Sequence, residues 1–200
     1  MGIIERKIRQ KEEVYTSILK AAWQIVEQEG WQALSIRKIA GAIEYSVPVI
    51  YDHFANKEAI LLEFTKQGFR RLNEELLKIK NRYPDPKQQI ELMAYAYWDF
   101  AHDNKEYYQL MYGLGIPTCE TVRQITELHA FTEIILEPIR NLIEKSNNKQ
   151  TDPLLKLRTF WSMLHGMISI DMMGQVNPRE ELNNQVLRDF INGFLSGING

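Results

Sequence analysis

Ser162 and His165 stand three residues apart, a spacing that sets a hydroxyl and an imidazole on one helical turn, where the ring could take the hydroxyl proton. No orienting acid accompanies them within that turn. The other histidine–carboxylate neighbours, His102 and Asp103, belong to a different segment. The GxSxG, P-loop and HExxH patterns are absent, and Gly113-Leu114-Gly115 follows no strand-like run, so it is no dinucleotide fingerprint. His129 and His165 are isolated from the single cysteine, Cys119, and no metal-ligand spacing joins them. The expectation is a chain with no catalytic residue, no metal set and no cofactor.

Chemistry of a different kind concentrates in "AIEYSVPVIYDHFANKE", residues 42–58, where two aromatics, a histidine and a proline interrupt otherwise plain helical runs. Ser35 caps a short helix whose Ile36, Ile39, Ala40 and Ile43 recur at helical spacing. Ser46 caps a second, of about seven residues, with Val47, Ile50 and Phe54 on its apolar side. Two such helices joined by a three- or four-residue turn read as a helix-turn-helix. Once the apolar side is spent, Val49, Tyr51, Asp52 and His53 are left for solvent or a partner. A helix this short is marginal alone. Its neighbours must brace it, which suits a probe held toward a DNA major groove.

The surrounding chain supplies those braces. Ile18, Ala21, Ala22 and Ile25 form a stripe that Gly30 ends, and Asn56 caps a long helix running to about Lys80. Tyr83-Pro84-Asp85-Pro86 breaks it. Further helices fall near 87–103, 104–111, 119–146, 153–173 and 180–196, Asp152-Pro153 serving as a cap with proline at the first helical position. Strand signals are nearly absent, so the fold is all-α: a three-helix N-terminal unit over 1–56, joined by a long helix to a C-terminal bundle within 57–200. Net charge is −2, divided as +2 over residues 1–80 and −4 over 81–200. Arg6, Lys7, Arg9 and Lys11 cluster at the start, as a solvated tail or a phosphate-touching arm. A lone cysteine fits a reducing cytoplasm, the opening residues do not resemble a secretory signal, and the apolar run Thr159–Ile170 is too short to span a bilayer. A cytoplasmic chain without membrane association is expected.

The stretch "ILKAAWQIVEQEGWQALSIRKIAGAIEYSVPVIYDHFANKEAIL", residues 18–61, resembles the N-terminal domain of the tetracycline-repressor (TetR) family of bacterial transcription regulators. Ala21-Ala22, Gly30, Ser35, Ile39-Ala40, Ser46, Tyr51, Phe54 and Lys57-Glu58 carry the likeness. A second, shorter one lies in "FWSMLHGMISI", where Trp161, His165 and Gly166 resemble the ligand domain of a TetR subgroup with a Trp…His-Gly signature. The resemblance implies that Ser35, Arg37, Ser46, Val47, Val49, Tyr51, His53 and Lys57 face double-stranded DNA. The chemistry of these side chains agrees in kind: serines and a lysine at helix starts for phosphate, tyrosine for a phosphate oxygen, valine for a thymine methyl. Two positions depart from the family pattern. Glu44 stands where many relatives have glycine, and Pro48 lacks the N–H found at its position in others.

The helix over 153–173 is apolar nearly all round, which calls for burial on most sides, and Ser162, Gly166 and Ser169 permit another helix to approach closely. The last helix adds a broad stripe, Leu182, Val186, Leu187, Phe190, Ile191, Phe194 and Leu195. The resemblance implies that these two helices pair with their mates in a homodimer that sets two reading helices on a palindromic operator. It also implies a sensor for a small effector. Met93, Tyr97, Phe100, Tyr108, Met111, Phe131, Ile135, Trp161 and His165, with Tyr107 and Tyr112, supply soft, aromatic and occasionally hydrogen-bonding walls. The expected function is a repressor released from its operator by a small, largely apolar or aromatic ligand. The rival reading is a helical protein-interaction adaptor without DNA binding, prompted by Glu44, Asp52 and the acidic balance.

Overall fold

The computed structural model describes residues 2–113, 125–146, 148–174 and 181–199. Among them run nine α-helices and no strand: α1 Ile3–Glu29, α2 Ile36–Ala42, α3 Val47–Tyr51, α4 Lys57–Arg82, α5 Pro86–Asp103, α6 Lys105–Tyr112, α7 Thr126–Lys145, α8 Pro153–Met173 and α9 Glu181–Asn199. The all-helical expectation holds. Cys119 and the start of the helix expected over 119–146 lie outside the described residues.

Helix α1 is held by its apolar stripe, with Ile18 and Ala22 fully buried and Val14, Ala21, Ile25 and Val26 nearly so. It ends where Gly30, at φ 79, turns the chain and returns its N–H to the Val26 carbonyl at 2.8 Å. One 3-10 turn, Trp31–Ala33, leads into α2. The basic cluster at the start is helical. It forms three turns of α1, in which residues 4–13 are all exposed. The run contains good helix formers and no proline, and the Glu5 carboxylate accepts the Gly2 N–H at 2.7 Å.

Ser35 caps α2 as expected, accepting the Lys38 N–H at 3.2 Å. Ile39 and Ala40 are buried beneath the motif, while Ile36 and Ile43 pack half-buried against them. The turn out of α2 is a Schellman closure: the Tyr45 N–H reaches back to the Ala40 carbonyl at 3.0 Å and the Glu44 N–H to Gly41 at 3.3 Å. That pattern needs a left-handed residue at position 44, and Glu44 adopts φ 58. It is the one residue other than glycine with positive φ among those described. The turn kept its geometry although the glycine was absent, so the strain sits in the Glu44 backbone.

The long helix α4 starts from an Asn56 cap whose side chain accepts the Ala59 N–H at 2.8 Å. Its buried face, Ile60, Phe64, Gly68, Phe69, Leu72 and Leu76, packs against α5, α6 and α7. At Gly68 the approach of α6 is so close that a Cβ would lie 2.6 Å from Met111 Sδ and 3.0 Å from its Cγ. Asp85 and Asp152 cap α5 and α8, and Pro86 and Pro153 occupy the first helical positions where a missing N–H does no harm. No helix among the described residues is long and apolar enough to cross a membrane.

Helix α8 departs from expectation. Leu154, Leu155, Met163, Ile170 and Met173 are all more than half exposed, and α9 adds exposed Leu182 and Val186. A single chain therefore leaves one face of the α8–α9 pair uncovered.

Replacing Glu44 by glycine should raise unfolding free energy by about 1 kcal/mol, the left-handed penalty less the entropy that glycine returns to the unfolded chain. Thermal or urea denaturation of the variant against the parent chain checks it.

Candidate functional site

The helix-turn-helix exposes a small, mostly uncharged surface. Five residues of α3 anchor it through Ile50, which is fully buried, and through Phe54 just beyond, which stacks on Tyr15 with centroids 5.1 Å apart. Helix α3 is two residues shorter than expected, because Asp52 and His53 continue as a turn closed by N–H bonds to the Pro48 and Ile50 carbonyls. Tyr51 is 52% exposed and Asp52 is exposed, while Val47 and Val49 are half-buried against the core. Arg37 extends from α2 into solvent.

Ser46 corrects the expected cap: its side chain accepts no capping bond. Pro48 removes one of the two N–H groups it would accept, and the other, on Val49, is committed to the Ser46 carbonyl at 3.0 Å. The Ser46 side chain stays exposed on the outer surface. Two expected members turn inward. His53 is half-buried with its ring 6.4 Å from that of Tyr15, and the Lys57 ammonium donates to the Trp31 carbonyl at 3.4 Å. Arg37, Ser46 and Tyr51 are exposed, while Ser35, Val47, Val49, His53 and Lys57 are half-buried.

A second polar constellation lies inside the bundle. The Trp161 indole N–H donates to the Tyr97 hydroxyl at 3.2 Å, the Tyr97 and Tyr108 hydroxyls lie 3.2 Å apart, and Tyr108 meets His165 Nδ1 at 2.7 Å. An indole only donates, so the Tyr97 hydroxyl accepts from Trp161; either phenol can be the donor between Tyr97 and Tyr108, and His165 Nε2 faces Ser169 at 3.5 Å. The Tyr112 hydroxyl is buried beside Tyr97 and Trp161, yet no bond of acceptable geometry reaches it. Phe69, Tyr112, Phe131 and Trp161 close the ring cage around these groups at centroid separations of 5.3–6.0 Å. Burial pushes the phenols of Tyr97, Tyr108 and Tyr112 far up, so all three stay neutral hydroxyls. Burial lowers His165 and favours its neutral form.

Of the expected sensor residues, Tyr97, Tyr108, Phe131, Trp161 and His165 come together. Met93, Phe100 and Ile135 are buried, but among the described residues no hydrogen bond or ring contact ties them to the cluster. Met111 turns away to fill the space left by Gly68. Phe69 was missed. It sits mid-stripe on α4, where the sequence signals only ordinary core. His165 addresses Tyr108 and Ser169, so the Ser162–His165 pair is not assembled. His102 pairs with Asp171 at 2.8 Å rather than with adjacent Asp103, and Asn183 braces the same carboxylate at 2.9 Å.

Helix α6 joins the two constellations. Tyr107 stacks on Trp23 of α1 at 4.2 Å, and the Trp31 indole N–H donates to the Glu106 carbonyl at 2.9 Å. One residue further along, Tyr108 enters the cage.

Residues 18–72 match the family model described as bacterial regulatory proteins, tetR family, and residues 90–191 match the tetracyclin repressor-like C-terminal domain. An uncharacterized HTH-type transcriptional regulator, YobS, of Bacillus subtilis is 26% identical over 187 residues, covering 90% of each chain. A protein of unknown function from Rhodococcus sp. RHA1 superposes with TM-score 0.77 at 21% identity, over 93% of this chain and 95% of that one. The transcriptional regulator FadR from Bacillus subtilis, in complex with stearoyl-CoA, gives TM-score 0.68 at 17% identity, over 93% and 98%.

The depressed His165 has a consequence for stability. Between the unfolded value of about 6.5 and its lower folded value, the unfolded chain binds a proton that the folded chain refuses, so stability falls as pH drops through that window. His165→Gln keeps an acceptor without the titration. It should lose less thermal stability than the parent between pH 7.5 and 5.5, as calorimetry at both pH values would show.

Proposed function

Because the chain belongs to the tetR family of bacterial regulatory proteins, and so is a DNA-binding transcription regulator, we propose that it acts in the cytoplasm as a homodimeric repressor of a palindromic operator, released by a small, largely apolar or aromatic ligand. Residues 1–56 form the reading unit and 57–200 the sensing and pairing unit. Ser35, Arg37, Ser46, Val47, Val49, Tyr51, His53 and Lys57 make up the DNA face. Tyr97, Tyr108, Phe131, Trp161 and His165, with Tyr112, receive the ligand, and Met93, Phe100, Met111 and Ile135 back them. The family membership decides against the adaptor reading.

The observation that carries the proposal is the placement of α6. Its first turn meets the reading unit through Trp23 and Trp31, with Phe64 of α4 beside them, and Tyr108 and Tyr112 belong to the aromatic cage. A ligand that spreads Tyr108 and Tyr112 must displace α6, and with it the contact to α1. FadR, known with stearoyl-CoA, shares the architecture and supports a bundle-bound effector.

The uncovered α8–α9 face supports the dimer. Ser162, Met163, Gly166, Ile170, Val186 and Phe190 border an apolar groove of about 420 Å³. Gly166 and Gly193 have nothing within 4 Å of where a Cβ would stand, so no packing inside the chain requires glycine there, although each costs a helix about 1 kcal/mol. A helix from a second copy accounts for both features.

Ile170→Glu should convert the dimer to a helical monomer, seen by sedimentation and circular dichroism, and abolish tight binding to a palindromic fragment from upstream of its own gene. On that fragment the parent protein should lose affinity steeply as salt rises, because phosphate contacts release counterions. Shallow salt dependence would contradict the assigned DNA face. Trp31→Phe should leave operator affinity nearly unchanged. It should shrink by about fivefold the affinity drop caused by a molecule extracted from the purified bundle, the worth of one hydrogen bond of about 1 kcal/mol.

A further inference from the structure

Direct readout in the major groove uses arginine or lysine for guanine and asparagine or glutamine for adenine. From Tyr45 to Phe54, through the whole of α3, none of these four residue types occurs. What the motif presents there is Tyr45, 45% exposed, then Ser46, Pro48, Val49, Tyr51 and Asp52, with Ile50 fully inside. The centre of that surface is hydrocarbon: a proline ring without an N–H and one flank of a valine. The only apolar feature that base pairs offer to such a surface is the C5-methyl of thymine.

Asp52 adds the one charged group. Its side chain is exposed, and its backbone N–H is already bonded to the Pro48 carbonyl at 3.1 Å. A carboxylate only accepts, so in the groove it needs an amino edge. Adenine sets the acceptor N7 beside its amino group, which repels the second carboxylate oxygen. Cytosine offers the amino group without that neighbour. Arg37, on α2, is left for phosphate or for a base at the margin.

We propose that α3 reads its operator through thymine methyl groups under Pro48 and Val49, with Asp52 selecting a cytosine beside them. The inference rests on the DNA-binding role of this motif. The tyrosines and Ser46 set register on the backbone, and the sequence information comes from carbon contact and one acceptor.

The test starts from a random duplex pool selected on the full-length protein. Each recovered half-site should hold fixed thymines next to a cytosine. Replacing those thymines by deoxyuridine, which removes only the methyls, should weaken binding about fourfold per contacted methyl, the worth of one buried apolar carbon. Asp52→Asn, a change at an exposed position, should switch the selected cytosine to adenine. Fixed guanines with no effect of deoxyuridine, or an unchanged consensus for Asp52→Asn, would overturn the proposal. Salt-sensitive binding without any enriched sequence would overturn it too, while leaving DNA binding intact. Absence of binding to any duplex would instead remove the DNA-binding role itself.

Discussion

Helix α6 has eight residues, too few to be stable alone, and it is buried from both sides at once. Tyr107 lies between Trp23 and Phe64, with the Arg71 guanidinium 4.7 Å over its ring. Tyr108 and Met111 are buried in the bundle, Met111 against the bare backbone at Gly68. The position of α6 is thus the one compromise that satisfies both units. Aromatic pairs of this kind contribute roughly 0.5–1.5 kcal/mol each beyond the area they bury, so the seam depends on several of them together.

Around that seam the polar groups divide by task. On α4, Arg70 bridges Glu63 and Glu127, and the Asn73 amide donates to the Glu127 carbonyl, tying α4 to the first turn of α7. Within the cage the tyrosines and His165 stay neutral, and no charged side chain shifts them. A charged ligand would find no counter-ion among these groups and would bear the full cost of burial.

Much of this was legible from residue type and spacing. The helix-turn-helix announced itself because Ile39, Ala40, Ile50 and Phe54 leave no other inward face; Tyr83-Pro84-Asp85-Pro86 marked a helix break, and Asp152-Pro153 a helix start by simple capping chemistry. The exposed apolar residues of α8 belong to the excess hydrophobicity visible in its sequence. Other features were hidden for physical reasons. Whether Ser46 caps depends on the donors that follow it, and Pro48 and Val49 had none to give. The role of Trp23 and Trp31 could not be read, because an aromatic that bridges two units looks like one that fills a core. The partner of His102, Asp171, lies on another helix, and only the fold brings them together.

Trp31 is bonded at both ends. Its indole N–H holds the Glu106 carbonyl of α6, and its own carbonyl holds the ammonium of Lys57, the first residue of α4. A single residue therefore links α6 to the start of α4, independently of the twenty-six residues of that helix. A movement of α6 would thus be felt at the Lys57 ammonium through one indole and one carbonyl.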